Sequence, residues 1–166
     1  MSALTPRHYA LLAFGLAFAA IAGAWGFEAA GIAPCELCLL QRWPYYIGVP
    51  FAALLGLAMP VLPNGTGRAG LLLLALLFVA SAGLGIYHAG VEWGFWQGPA
   101  ACTGSFKFGG DLLADLKNTK VVRCDAVAIR ILGLSLAGWN VLVSLVIAAV
   151  AGWGTRRIAA PKHQSL

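Results

Sequence analysis

Residues 69–91 read AGLLLLALLFVASAGLGIYHAGV, a run without a single Asp, Glu, Lys or Arg. As a helix such a run reaches roughly 35 Å, enough to cross a hydrocarbon core of about 30 Å. Three more uncharged stretches of similar length accompany it: Tyr9–Phe27, Trp43–Gly67 and Ile131–Thr155. Composition agrees, with 60% of the 166 residues hydrophobic, 10% charged and a mean hydropathy of +0.82. Soluble domains average about 25% charged residues, so an ordinary soluble fold is excluded. The sequence predicts an all-α membrane protein, a single domain over 1–166 built as a four-transmembrane-helix bundle. Its helices are expected at about 9–27, 43–62, 69–91 and 131–154. Pro60, Pro63, Asn64, Gly65 and Arg68 mark a tight turn between the second and third.

Four spans put both termini and that turn on one side of the membrane. That side carries Arg7, Arg68, Arg156, Arg157 and Lys162 and no acid. The six acids, Glu28, Glu36, Glu92, Asp111, Asp115 and Asp125, all fall on the other side, with Arg42, Lys107, Lys117, Lys120, Arg123 and Arg130. Basic residues next to short-loop helix ends weigh most, and the Arg156-Arg157 pair follows the last span, so cytoplasmic termini are expected. The net charge of +5 is thereby a topology signal and not a nucleic-acid footprint. Arg7, the apolar run after it and Ala22-Gly23-Ala24 also fit a signal peptide with its cleavage site. The run continues through Trp25 and Phe27, and Gly15, Ala19 and Gly23 repeat at helical spacing suited to close helix contact, so a retained helix is expected.

The outer loops, about 28–42 and 92–130, hold all four cysteines. Cys35 and Cys38 form a C-x-x-C pair at the mouth of the second helix, whereas Cys102 and Cys124 are widely spaced in the second loop. A C-x-x-C pair is a redox or metal device, and a second pair on the same face suggests a relay between dithiols. On the outer side disulfides persist. Arg42, four residues after Cys38, is expected on the same helix face, where it supports a thiolate or a developing quinone oxyanion. His88, near the outer end of the third helix, is a candidate hydrogen-bond or proton donor to such a ring. Dithiol oxidation releases two electrons and two protons, which matches quinone reduction. Two other readings of the cysteines stand beside this one: a zinc site, although four-cysteine sites usually show two close pairs, and two static structural disulfides.

Several residues admit plainer roles. Trp43, Tyr45 and Tyr46 are expected as interface anchors, and Ser135 and Asn140 as interhelical hydrogen-bond formers. Glu92 marks the membrane boundary. Trp93-Gly94-Phe95-Trp96 is expected at headgroup level, and Asp111 caps a short amphipathic surface helix whose stripe is Leu112, Leu113 and Leu116.

The chain resembles the DsbB family of membrane disulfide-generating proteins over nearly its whole length. The resemblance is carried by Cys35-Glu36-Leu37-Cys38 with Gln41-Arg42, Tyr87-His88 and Glu92-Trp93. It continues in Cys102-Thr103-Gly104, Arg123-Cys124-Asp125, and Gly133-Leu134-Ser135 with Trp139-Asn140. It implies a multi-pass protein of the bacterial inner membrane that reoxidises a soluble periplasmic thioredoxin-fold partner such as DsbA. By that likeness Cys102 forms the mixed disulfide with the partner and Cys124 resolves it. Cys35 and Cys38 reoxidise that pair and deliver electrons to ubiquinone or menaquinone. Cys38 then faces the quinone, Arg42 stabilises the charged intermediate and His88 stands nearby; no resident metal is implied. A DsbA-type oxidant lies near −120 mV, so only a more oxidising acceptor such as the quinone pool drives it to completion. The stretch from Cys102 to Cys124 is compact for the best-known branch, which leaves a DsbI-like oxidase serving a dedicated substrate as an alternative. A vitamin-K-epoxide-reductase-like enzyme shares the chemistry but matches the motifs less well. Outside enzymes, the rivals are a small membrane metal-binding or transport protein and a structural membrane protein.

The charge distribution generates a test. Membrane-impermeant thiol reagents applied to reduced, intact spheroplasts should label the cysteines before lysis; labelling only after lysis would invert the topology.

Overall fold

The computed structural model describes residues 4–99, 102 and 122–158. The chain is mostly helical. Its elements are α1 (Pro6–Ala29), α2 (Glu36–Leu40), α3 (Trp43–Ala58), α4 (Asn64–Glu92), a hairpin of β1 (Arg130–Ile131) and β2 (Leu134–Ser135), and α5 (Leu136–Arg156). The expected amphipathic helix around Asp111 to Lys117 lies outside the described residues.

Helix ends follow local chemistry. Pro6 opens α1, and His8 Nδ1 accepts the Thr5 backbone N–H at 3.2 Å. The second long helix was expected to reach residue 62 but stops at Ala58, with a turn ahead of Pro60 and Pro63. α4 then begins at Asn64, directly after Pro63, so Asn64, Gly65 and Arg68 belong to its first turns and not to the loop. Its other end closes as a Schellman motif. Gly94 adopts φ +74, its N–H bonds to Val91 O at 3.1 Å, and Phe95 N–H bonds to Gly90 O at 2.9 Å. Trp96 folds back over Gly90 and donates from Nε1 to Tyr87 O at 2.8 Å. The last helix was expected from residue 131, yet residues 130–135 pair as a hairpin with register Arg130↔Ser135. Leu132 and Gly133 both take positive φ, 52° and 83°, the backbone of a type I′ turn. Ser135 then caps α5, its Oγ accepting from Gly138 N–H at 3.2 Å, and makes no interhelical bond among the described residues.

The four long helices pack in a ring in which α1 touches α3 and α5, and α4 touches the same two. The core holds Ala13, Ala17, Tyr45, Ala52, Leu74, Phe78, Ile147 and Ala151. Glycines permit the close approaches: Gly48 lies under the Phe78 ring and Gly154 under Tyr9. The buried small residues of α1 are Ala10, Ala13 and Ala17, with Ala20 and Ala24 partly packed against the core. Gly15 and Gly23, expected at that contact, have no neighbour within 4 Å of where a Cβ would stand. Tyr45 is an interior residue, 4% exposed, while Trp43 and Tyr46 stay exposed as interface anchors would.

α1, α4 and α5 are each long and apolar enough to cross a membrane. α3, with 16 residues, measures roughly 24 Å, short of a typical hydrocarbon core.

At Gly85 a Cβ would meet Val141 Cγ2 at 2.8 Å and the Val141 backbone nitrogen at 3.2 Å. Gly85→Ala should therefore wedge α4 from α5 and cost about 1–3 kcal/mol. Gly15→Ala, in open space, should leave stability unchanged or slightly raised. Thermal unfolding in detergent distinguishes them, and equal midpoints would remove the close α4–α5 contact.

Candidate functional site

Pro34 keeps the chain extended, and Cys35 follows with ψ 171° as the N-cap of α2. Its Sγ accepts the Cys38 backbone N–H at 3.3 Å, the capping bond that a serine oxygen usually makes. The C-x-x-C spacing brings the two thiols together at 2.7 Å, and both cysteines are free. His88 approaches from α4 with Nε2 3.7 Å from Cys35 Sγ.

This environment divides the pair. The hydrogen bond from the Cys38 thiol draws Cys35 down to about 4 against the opposing effect of burial, and His88 and the Cys38 N–H lower it further. Cys38 moves strongly upward, because its proton is held by Cys35, because it is buried, and because Cys35 and Glu92 bring negative charge. In the reduced pair these contacts favour the thiolate at Cys35 and the proton at Cys38.

Behind His88 runs a chain of polar side chains. Gln41 Nε2 lies 2.5 Å from His88 Nδ1, and Asn140 Nδ2 donates to Gln41 Oε1 at 2.7 Å. Tyr45 donates to Asn140 Oδ1 at 2.6 Å, and Ser144 links Tyr45 to Ser81, each step 3.0 Å. Asn140 thus forms the interhelical bonds expected of it. Gln41, Tyr45, Ser81 and Ser144 were not singled out for this. The signal available was the presence of hydroxyls inside otherwise apolar helices, with the Gln41 amide at the mouth of one, where each needs a partner.

Arg42 goes elsewhere than expected. The chain turns at Gln41-Arg42 between α2 and α3, so Cys38 and Arg42 do not share one continuous helix, and the Arg42 guanidinium pairs with Glu28 at the end of α1. Beside this pair, Trp25 stacks on Tyr46 with centroids 6.2 Å apart. Arg42 still lines a cavity of about 370 Å³ together with Cys38, Gln41, Tyr45, His88 and Asn140. Its other walls are apolar: Ala19, Gly23 and Phe27 of α1, Ile32 and Pro34 of the loop, and Leu136, Trp139 and Val143 of α5. An apolar site of this size with a few convergent polar groups has the character of a small-molecule pocket.

Cys102 and Cys124, fully buried, form a disulfide. It packs with Cys35, Leu37 and Val91 in one cluster, against which Cys38 and Val122 also rest. The structure therefore brings both cysteine pairs together. Arg123 and Asp125, which flank Cys124, pair with each other through two hydrogen bonds. Glu92 does more than mark a boundary: its side chain is 6% exposed, with Oε1 4.0 Å from His88 Nε2 and Oε2 unpartnered among the described residues.

Cys35, Cys38 and His88 offer ligand atoms within 4.8 Å of one another. Two zinc-bound thiolates, each about 2.3 Å from a tetrahedral ion, stand roughly 3.8 Å apart. The two sulfur atoms here lie 2.7 Å apart, closer than a pair of zinc-bound thiolates would stand.

Comparison with known proteins gives a consistent result. Residues 6–154 match the family described as disulfide bond formation protein DsbB. The chain is also similar to Uncharacterized protein RP370 of Rickettsia prowazekii (strain Madrid E), 28% identical over 124 residues, covering 72% of this chain and 69% of the relative. No solved structure matches.

The depressed Cys35 acidity predicts a thiolate that survives mild acid. In the reduced protein, ultraviolet thiolate absorbance should persist well below neutral pH and disappear only near the low value given above. Cys35→Ala should abolish this signal and Cys38→Ala should shift its midpoint upward, since the main donor is lost. A midpoint near that of a free thiol in the wild type would contradict the assignment.

Proposed function

The chain belongs to the DsbB family of disulfide bond formation proteins, and from that premise we propose that it is a membrane thiol oxidase passing electrons from a soluble dithiol to a quinone. The observation that carries this reading is the packing of the Cys102–Cys124 disulfide against the Cys35–Cys38 pair, with Cys38 turned to the cavity. The partner is a DsbA-like periplasmic protein of the thioredoxin fold. One of its thiolates attacks Cys102, forming a mixed disulfide and releasing the Cys124 thiolate. The second partner thiolate displaces Cys102, so the partner leaves oxidised and the loop pair is left as a dithiol. That dithiol exchanges with a Cys35–Cys38 disulfide, which restores Cys102–Cys124 and reduces the inner pair.

A quinone bound in the cavity supplies a two-electron, two-proton acceptor. Arg42, His88 and Cys38 would face its polar ring, and the apolar walls from α1 and α5 suit its hydrocarbon part. Arg42 contributes positive charge on the cavity side, Cys38 retains a proton at Sγ, and the apolar lining keeps water from the sulfur atoms.

The membrane arrangement belongs to the same proposal. α3, with the Gln41-Arg42 turn and α2 ahead of it, acts as a fourth span despite its length, because tilt or local thinning of the bilayer accommodates a short helix at modest cost. Both termini are cytoplasmic, and the four cysteines face the periplasm across the inner membrane. Arg7 and Arg156, at one end of α1 and α5, support that orientation.

The deciding measurement is quinone reduction by the purified protein supplied with a reduced DsbA-type partner. Cys102→Ser and Cys124→Ser should abolish partner turnover, and Cys35→Ser and Cys38→Ser should block quinone reduction. Normal partner oxidation in any of the four would refute an obligatory relay. Arg42→Met should lower the rate roughly a hundred- to thousand-fold at matched protein level, whereas Arg42→Lys should keep partial activity with a raised apparent KM for quinone. Wild-type kinetics in Arg42→Met would reduce this arginine to the anchor of α1.

A further inference from the structure

The polar chain behind His88 has a direction, and the direction can be read from the amides of Gln41 and Asn140. Both amides also bond to backbone carbonyls, which only accept. Leu37 O receives a hydrogen from Gln41 Nε2 at 3.3 Å, and Ser81 O receives one from Asn140 Nδ2 at 3.5 Å. The nitrogen end of each amide is thereby identified. Gln41 Oε1 then accepts from Asn140 Nδ2, whose own carbonyl accepts from Tyr45. The remaining hydrogen on Gln41 Nε2 points at His88 Nδ1, 2.5 Å away. An amide nitrogen cannot accept, so Nδ1 must, and the neutral imidazole carries its hydrogen on Nε2. That nitrogen faces Cys35 Sγ.

We propose that Gln41 and Asn140 are positioning residues that lock His88 in the Nε2–H tautomer, so that it donates to Cys35 and selects Cys35 over Cys38 as the thiolate of the reduced pair. The significance of this selection rests on the thiol-oxidase reading, but the arrangement itself requires neither quinone nor partner. Three elements contribute. α5 supplies Asn140, the turn between α2 and α3 supplies Gln41, and α4 supplies His88. Among the described residues, the other titratable or charged groups around Cys35 are Cys38 and Glu36 on α2, Glu92 on α4, and the Arg123–Asp125 pair beside Cys124. Glu92 lies on the Nε2 side of the ring and also accepts, so it favours the same tautomer.

The test is ¹⁵N NMR of the full-length, reduced protein labelled at histidine, with the His88 resonances identified by their loss in His88→Phe. Wild type should show the Nε2–H tautomer near neutral pH; an Nδ1–H tautomer overturns the proposal and needs no variant to fold. The second readout is the pH midpoint of the Cys35 thiolate absorbance. Gln41→Met and Asn140→Leu keep volume and remove the amide, and should raise that midpoint by about one pH unit, a tenfold fall in thiolate below it. His88→Phe should raise it at least as far, and adding Gln41→Met to His88→Phe should move it no further. Unchanged midpoints in the folded amide variants, or shifts that simply add in the double variant, would overturn the lock. Loss of quinone reduction with the tautomer intact would count against the oxidase reading alone.

Discussion

A polar group inside an apolar bundle must find its partner within the protein, and Gln41 is where this constraint is met for the whole site. Its amide bonds to α2 through Leu37, to α4 through His88 and to α5 through Asn140. Gln41 is 7% exposed, so leaving any of these bonds unmade costs about 1–3 kcal/mol of desolvation. The short α2 and the break before α3 are tolerated because this one side chain ties them to the helices behind. With Gln41 fixed, His88 is fixed, and with His88 fixed the C-x-x-C pair has a defined electrostatic environment.

The local backbone reinforces that environment. Cys35 occupies an N-cap, where orphan N–H groups and the helix dipole favour negative charge, although five residues make the dipole itself small. The decisive contacts are short-range: the Cys38 thiol, the Cys38 N–H and the His88 ring. The same hydrogen bond that lowers one sulfur raises the other, so the two cysteines are chemically distinct before any ligand arrives. Their surroundings differ in the same sense, with Cys35 in the buried cluster beside the disulfide and Cys38 on the cavity wall.

Three of the four expected spans were legible in the sequence because hydropathy over long uncharged runs is a strong signal, whereas α3 is shorter than the run that predicted it. Cys35, Cys38, Arg42 and His88 could be named from residue type, spacing and position at one membrane edge. What spacing could not show was orientation. The four-residue step from Cys38 to Arg42 implied a shared face, but the helix breaks between them and Arg42 crosses to Glu28. Likewise Ile131 reads as the start of a helix, while the Leu132-Gly133 turn diverts it into a hairpin. Gly15 and Gly23 have the periodicity of a contact stripe, but the face buried is the neighbouring one. Periodicity locates a stripe only to within the choice of which neighbour it meets, and that choice is made by the whole bundle.

The Arg42–Glu28 pair bears on the reaction proposed for the cavity. Glu28 is 46% exposed and Arg42 only 11%, so the two ends of the ion pair lie in different dielectric surroundings. An exposed carboxylate gives up little hydration and gains little from its partner; surface pairs are worth about 0–1 kcal/mol. Negative charge developing on the cavity side has no such hydration, and its attraction to the same guanidinium is correspondingly greater. The balance therefore favours Arg42 holding Glu28 while the cavity is neutral and turning part of its field inward as charge builds up there. Five donors on a planar fork allow both contacts at once, so the tie between α1 and α3 need not break for the arginine to act. Under the proposed reaction such sharing would let Glu28 keep a nearly buried cation in place without neutralising it against charge developing in the cavity.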